Sequence, residues 1–87
     1  MKNIDEELNE VQRKFSEGMY QLALRKINKL IKNNKQNHIA YNYRGIILVA
    51  LKKSSEAITD FQKALELNSE FTEAIGNIGM AYHEMNY

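Results

Sequence analysis

Two histidines, His38 and His83, are the side chains of this 87-residue sequence best suited to acid–base or metal chemistry near neutral pH. There is no cysteine, which removes thiolate nucleophiles, thiolate metal ligands and disulfides together. Neither histidine stands in a motif with a metal-ligand partner. His83 is followed by Glu84, and adjacent residues of a helix point to different faces. Both histidines are therefore expected to be solvated, and no catalytic residue, metal site or cofactor is expected. Gly76 and Gly79 do not make a phosphate loop, since no strand or Gly-Lys-Ser/Thr follows. Their spacing suits a thin helix face. The remaining candidate is a basic run: Arg25, Lys26, Lys29, Lys32 and Lys35 fall within eleven residues that hold no acid. Arg25, Lys29 and Lys32 share one helix face, a pattern that suits an anion or nucleic-acid patch. Cations near a helix C-terminus also serve a solvated outer face, and no aromatic residues interleave for base stacking.

The elements that must position these residues are helices. The chain has no proline and four glycines, few means of making the tight turns of an all-β fold. A shift of 34 residues aligns the chain with itself. Ala23 falls on Ala57, Ile27 on Phe61 and Leu30 on Ala64. Tyr41 falls on Ile75, Arg44 on Ile78, Gly45 on Gly79 and Leu48 on Tyr82. Apolar stripes at helical spacing fill the period. They are Leu8, Val11, Phe15; Leu22, Ala23, Ile27, Leu30, Ile31; Tyr41, Gly45, Leu48, Leu51; Ile58, Phe61, Leu65, Leu67; and Ile75, Ile78, Gly79, Tyr82. Short polar breaks separate them, which predicts five helices over 4–17, 20–34, 38–51, 54–68 and 72–85. Connections that short force neighbouring helices antiparallel. Ser54 or Ser55 is placed to cap the fourth helix. Gly45 is expected to let its helix approach closely beside Ala57, with Phe61 and Tyr41 filling the space above and below.

Charge and hydropathy exclude other classes. The net charge of +1 drives no global attraction to nucleic acid. It is unevenly placed: residues 1–35 hold eight Lys/Arg and five Asp/Glu, whereas residues 54–87 hold Lys63 and six Asp/Glu. The longest apolar run, Gly45–Leu51, is too short to cross a bilayer. The N-terminal MKNIDEELNEV is acidic and lacks an apolar signal core, so no targeting segment is expected. Without cysteine, the chain suits a reducing, cytoplasmic setting.

The repeat resembles the tetratricopeptide repeat, whose period is 34 and whose pattern runs aromatic-x2-Leu-Gly-x2-Tyr, then Ala-x3-Phe, then Pro. Here the pattern reads Tyr41-x2-Arg44-Gly45-x2-Leu48, then Ala57-x3-Phe61 and Ala64-Leu65-Glu66-Leu67. A third copy reads Ile75-x2-Ile78-Gly79-x2-Tyr82, and the first has Gly18-x-Tyr20-x2-Ala23-x3-Ile27. The departures are Lys35 and Ser69 at the proline position and Leu30 in place of a small residue, which is expected to splay the first helix pair. The resemblance implies an all-α, antiparallel helix-pair solenoid of about two and a half repeats. It makes residues 1–87 a single domain, with repeat one over about 4–37, repeat two over 38–71 and a partial repeat three over 72–87.

The resemblance also implies a binding surface on the concave face made by the first helix of each repeat. Those positions are Ile39, Asn42, Tyr43, Ile46 and Val49 in repeat two, and Glu73, Gly76, Asn77, Met80 and His83 in repeat three. Gln12 and Phe15 join them from repeat one. One subtype of the family grips a peptide carboxylate with lysines and asparagines. Asn77 matches one clamp asparagine, but Glu73 and Tyr43 occupy neighbouring clamp positions and no lysine lines the groove, so that subtype is not expected. The expected function is binding a peptide or partner protein in the groove, as a scaffold without enzymatic activity. Two alternatives stand beside it. One is a self-assembling repeat, a homo-oligomer formed through Ile75, Ile78, Tyr82 and Met85 of the last helix. The other is anion or nucleic-acid binding through the basic helix 25–35.

Overall fold

A computed structural model describes residues 2–86. The expected domain limits at Met1 and Tyr87 lie outside the described residues. Five helices follow one another: α1 (Ile4–Ser16), α2 (Tyr20–Asn33), α3 (His38–Ala50), α4 (Ser54–Leu67) and α5 (Thr72–Glu84). Every helix begins at the residue expected from the 34-residue period. Each ends one residue earlier, because the last expected residue serves as the C-cap.

Local chemistry explains several of these ends. The Asn3 side chain accepts a hydrogen bond from the Glu6 amide at 2.9 Å and caps α1. Asp5, Glu6 and Glu7 in its first turn and Arg13 and Lys14 in its last complement the helix dipole. Gly18, at φ +81°, supplies the left-handed turn into α2. Asn37 caps α3 by accepting from the Ala40 amide at 3.0 Å. The expected serine cap of α4 does not form. Lys53 is the N-cap and makes no side-chain bond, and Ser54 is already the first helical residue, buried at the helix start.

Consecutive helices pack against one another along the chain, and α3 also touches both α1 and α5. The odd helices therefore form one layer and α2 and α4 the other, within extents of 43 × 29 × 17 Å. Each connection is too short for anything but a reversal, so each helix runs back along its predecessor. The core is made of Leu8, Val11, Ala23, Ile27, Leu30, Ile31, Ala40, Tyr41, Ile47, Leu48, Ala57, Ile58, Phe61, Ala64, Ala74 and Ala81. Alanines at the contacts allow the backbones close together, while Ile27 and Phe61 fill the wider spaces. Gly45 does permit a close approach. A Cβ there would lie 2.4 Å from Cε1 of Phe61, so the glycine seats the Phe61 ring.

On α5 the buried positions are Ala74 and Ala81, seven residues apart. The large residues of the expected stripe lie outward: Ile75 is 55% exposed and Tyr82 43%. Ile78 and Met85 are half-buried against the core.

Candidate functional site

The layer of odd helices brings α1 and α3 alongside each other, and between them lies a cleft of about 260 Å³ lined by Val11, Gln12, Phe15, Tyr43, Ile46 and Ile47. Helical spacing puts these residues there. Val11, Gln12 and Phe15 are i, i+1 and i+4 on α1; Tyr43, Ile46 and Ile47 are i, i+3 and i+4 on α3. Val11 and Ile47 are fully buried and form the floor. Phe15, Tyr43 and Ile46 are half-buried walls that keep apolar surface in water, and Gln12 is an exposed polar edge. Phe15 is held by Tyr20, whose ring lies 5.1 Å away at 44°.

The groove positions expected from sequence divide in this arrangement. Gln12, Phe15, Tyr43 and Ile46 come together around the cleft. Val49 is half-buried against the core beyond it, while Ile39, Gly76, Met80, Glu73 and His83 are exposed along the same layer. Asn42 is 1% exposed, and its Oδ1 accepts a hydrogen bond from Asn77 Nδ2 at 2.8 Å. That bond joins α3 to α5 and satisfies a buried amide that would otherwise be costly. Val11 and Ile47 were not among the expected groove residues. Their signal was positional: each lies one turn from an expected wall residue in a helix already read as apolar.

His38 corrects the expectation of solvated histidines. It is half-buried at the start of α3, its Nε2 lies 3.3 Å from Asn68 Nδ2, and its ring meets Phe71 edge-on at 4.7 Å. The histidine thus ties α3 to the α4–α5 connection. His83 is exposed on α5. Among the described residues no three His, Cys, Asp or Glu side chains gather as a metal site would require. No helix of the described residues is long and apolar enough to cross a membrane.

The arginine at position 44 has a role that sequence spacing did not disclose. Its Nε and Nη2 each donate to the Asp60 carboxylate at 2.8 Å, and Nη1 donates to Asn28 at 3.0 Å. The guanidinium also lies 5.7 Å from the centre of the Tyr41 ring. One side chain therefore links α2, α3 and α4 through a fork-to-carboxylate pair. The hydrogen bond that Arg44 donates to Asp60 raises the Arg44 pKa, and burial opposes the rise.

Of the basic run, Arg25, Lys29, Lys32 and Lys35 are exposed. Lys26 is engaged by Glu10 at 2.9 Å, and Lys2 pairs with the other oxygen of the same carboxylate. Hydrogen bonds from Lys2 and then Lys26 lower the Glu10 carboxyl from its ordinary 4.5 to about 2.

Comparison with known proteins bears on this arrangement. Residues 38–71, the α3–α4 pair with the connection to α5, match the tetratricopeptide repeat. The protein is also similar to the Protein STIP1 homolog of Dictyostelium discoideum, with 36% identity over 59 residues. That match covers 68% of this chain and 10% of the relative, so the chain spans about a tenth of the length of the relative it matches.

Proposed function

Because the chain belongs to the tetratricopeptide-repeat family, whose repeats generally mediate contacts between proteins, we propose that it binds a peptide segment of a partner protein in the cleft between α1 and α3. The observation that carries this reading is the cleft itself: a preformed apolar concavity, floored by Val11 and Ile47, walled by Phe15, Tyr43 and Ile46, and edged by Gln12. Apolar pockets with a few polar groups at the rim are the usual form of a peptide site. The ligand's anchor is an apolar side chain, because only Gln12 and the Tyr43 hydroxyl offer polar contact among the lining residues. Ile39, Val49, Met80 and His83 extend the surface along the layer for the flanking ligand residues. The Asn42–Asn77 pair holds α3 and α5 in register beneath them, and Asn77 keeps capacity for a hydrogen bond to a peptide backbone. The protein is a scaffold in a cytoplasmic setting, and this reading assigns it no catalytic step.

The test is selection of a displayed peptide library against the immobilised protein, followed by affinity measurement on two variants. Ile46→Glu places a charge in the cleft wall and is expected to weaken selected peptides by about 10- to 100-fold, the worth of one buried aliphatic contact. A variant with Arg25, Lys29 and Lys32 changed to Ala is expected to bind normally. The reverse pattern, with circular dichroism unchanged in both, would move the site to the basic helix and sink the proposal.

A further inference from the structure

The helices α1, α3 and α5 begin at residues 4, 38 and 72, so the 34-residue period sets equivalent residues in rows across the odd layer. Gln12, Ile46 and Met80 make one row, at the level of the cleft. Two turns earlier on the same faces stand Asp5, Ile39 and Glu73. Contacts fix which way these residues look. Gln12 lines the cleft, so Asp5 lies on the cleft side of α1. Asn77 bonds Asn42 of α3, and Glu73, one turn before Asn77, lies on that same side of α5. Asp5 and Glu73 are exposed, and neither has a salt-bridge partner among the described residues. Between them Ile39 keeps 37% of its surface in water. The cations of the odd layer are directed elsewhere. Arg44 turns to Asp60 on α4, and Lys14 pairs with Glu17. Arg13 lies within electrostatic reach of Lys2, which Glu10 holds on the α2 side. The Lys35 carbonyl accepts from the Tyr41 hydroxyl at 3.0 Å, on the α4 side of α3. Lys52 sits at the opposite end of the layer, where Glu84 meets it at 3.8 Å.

Resting on the reading that the α1–α3 cleft is the peptide site, we infer that its ligand is a basic segment: an apolar anchor with Lys or Arg about three residues to one side. The groove has a polarity that requires this. Its middle is apolar, the end where α1 and α5 begin carries two unpaired carboxylates, and the other end carries the Lys52–Glu84 pair. Seven helical residues rise about 10 Å, which an extended peptide spans in about three residues. A Lys or Arg at that distance from the anchor reaches Asp5 or Glu73 well within a screening length of roughly 8–10 Å. An acidic segment would meet the same carboxylates and be repelled. The even layer reinforces the choice, because Arg25, Lys29 and Lys32 are exposed on α2 and turn a basic ligand away from that face.

The test uses the whole 87-residue chain and short synthetic peptide pools with Leu or Phe fixed at the centre. Two Lys or two Glu residues are set about three positions from that anchor, before it in some pools and after it in others. Binding is followed by fluorescence anisotropy. At low salt the better Lys pool is expected to bind at least about tenfold more tightly than either Glu pool, and high salt should narrow the gap. Asp5→Asn with Glu73→Gln should close the gap, and Asp5→Lys with Glu73→Lys should reverse it, with circular dichroism unchanged because both positions are exposed. Ile46→Glu should weaken every pool whatever its charge. Pools that respond to Ile46→Glu but bind equally with Lys or Glu would overturn the inference and leave the cleft as the site. So would a preference for Glu, or a preference for Lys that survives neutralisation of Asp5 and Glu73. Binding indifferent to Ile46→Glu would remove the cleft itself, and this inference with it.

Discussion

Replacing Gly45 by alanine adds one methyl group directly against the buried Phe61 ring. The new Cβ would lie 2.4 Å from Cε1 of Phe61 and 2.7 Å from both Cδ1 and Cζ. Carbon atoms are comfortable at roughly 3.5–4.0 Å, so about 1 Å of overlap must be relieved. The ring has no free direction of retreat, because Phe61 is 0% exposed and enclosed by the core. Overpacking of this kind costs about 1–3 kcal/mol, and the depth of the overlap points to the upper half of that range. Against it stands the helix preference for alanine over glycine, worth about 1 kcal/mol. The net expectation is a loss of about 1–2 kcal/mol, which at about 4–8 °C per kcal/mol lowers Tm by about 5–15 °C. Gly79 provides the matched control. It stands 34 residues on with nothing within 4 Å, so Gly79→Ala keeps the helix gain and should raise Tm. The assay is thermal unfolding of both variants followed by circular dichroism at 222 nm. Adding Phe61→Leu to Gly45→Ala should cost less than the two single losses summed, by at least about 1 kcal/mol, because the smaller side chain relieves the overlap. A Tm raised equally by both alanine variants would refute the seating of Phe61 on Gly45.

Asp60→Ala leaves the Arg44 guanidinium without its carboxylate and should destabilise the fold by up to about 3 kcal/mol, whereas Arg44→Met combined with Asp60→Ala should recover much of that loss in urea unfolding. Glu10 gives a signed pH effect. Its folded pKa lies below the unfolded value, so its contribution is present above about pH 4.5 and is lost as the pH falls toward about 2. Glu10→Gln should flatten the Tm–pH curve across that window, and high salt should shrink the difference, because the group lies at the surface. Gly18→Ala should lower Tm with no clash involved, since Gly18 sits at φ +81° where a Cβ is strained.

The helices and their order were legible because a 34-residue period and apolar stripes speak to backbone geometry, which is local. All five starts follow from them. The cross-helix chemistry was less legible because it depends on which side chains meet. Arg44 and Asp60 are sixteen residues apart with no shared motif, yet they make the most specific polar contact between α3 and α4. On α5 the large apolar residues read as an outward face, and Ile75 does lie outside, while the small Ala74 and Ala81, which belong to none of the apolar stripes, are the buried ones. Asn3 and Asn37 cap α1 and α3, whereas the serines expected to cap α4, Ser54 or Ser55, do not. At the candidate site, family resemblance supplied Gln12, Phe15, Tyr43 and Ile46, which line one cleft, and Asn42 and Asn77, which bond each other. Sequence spacing cannot distinguish an asparagine aimed at a ligand from one aimed at a neighbouring helix.

The claim that the α1–α3 cleft is the partner site is tested most directly by intermolecular nuclear Overhauser effects between the protein and its tightest library-selected peptide. Contacts are expected from an apolar ligand side chain to the Ile46 methyls and to the Phe15 and Tyr43 rings, with none to Arg25, Lys29 or Lys32. Contacts confined to those three basic residues, with the Ile46, Phe15 and Tyr43 signals undisturbed, would contradict it.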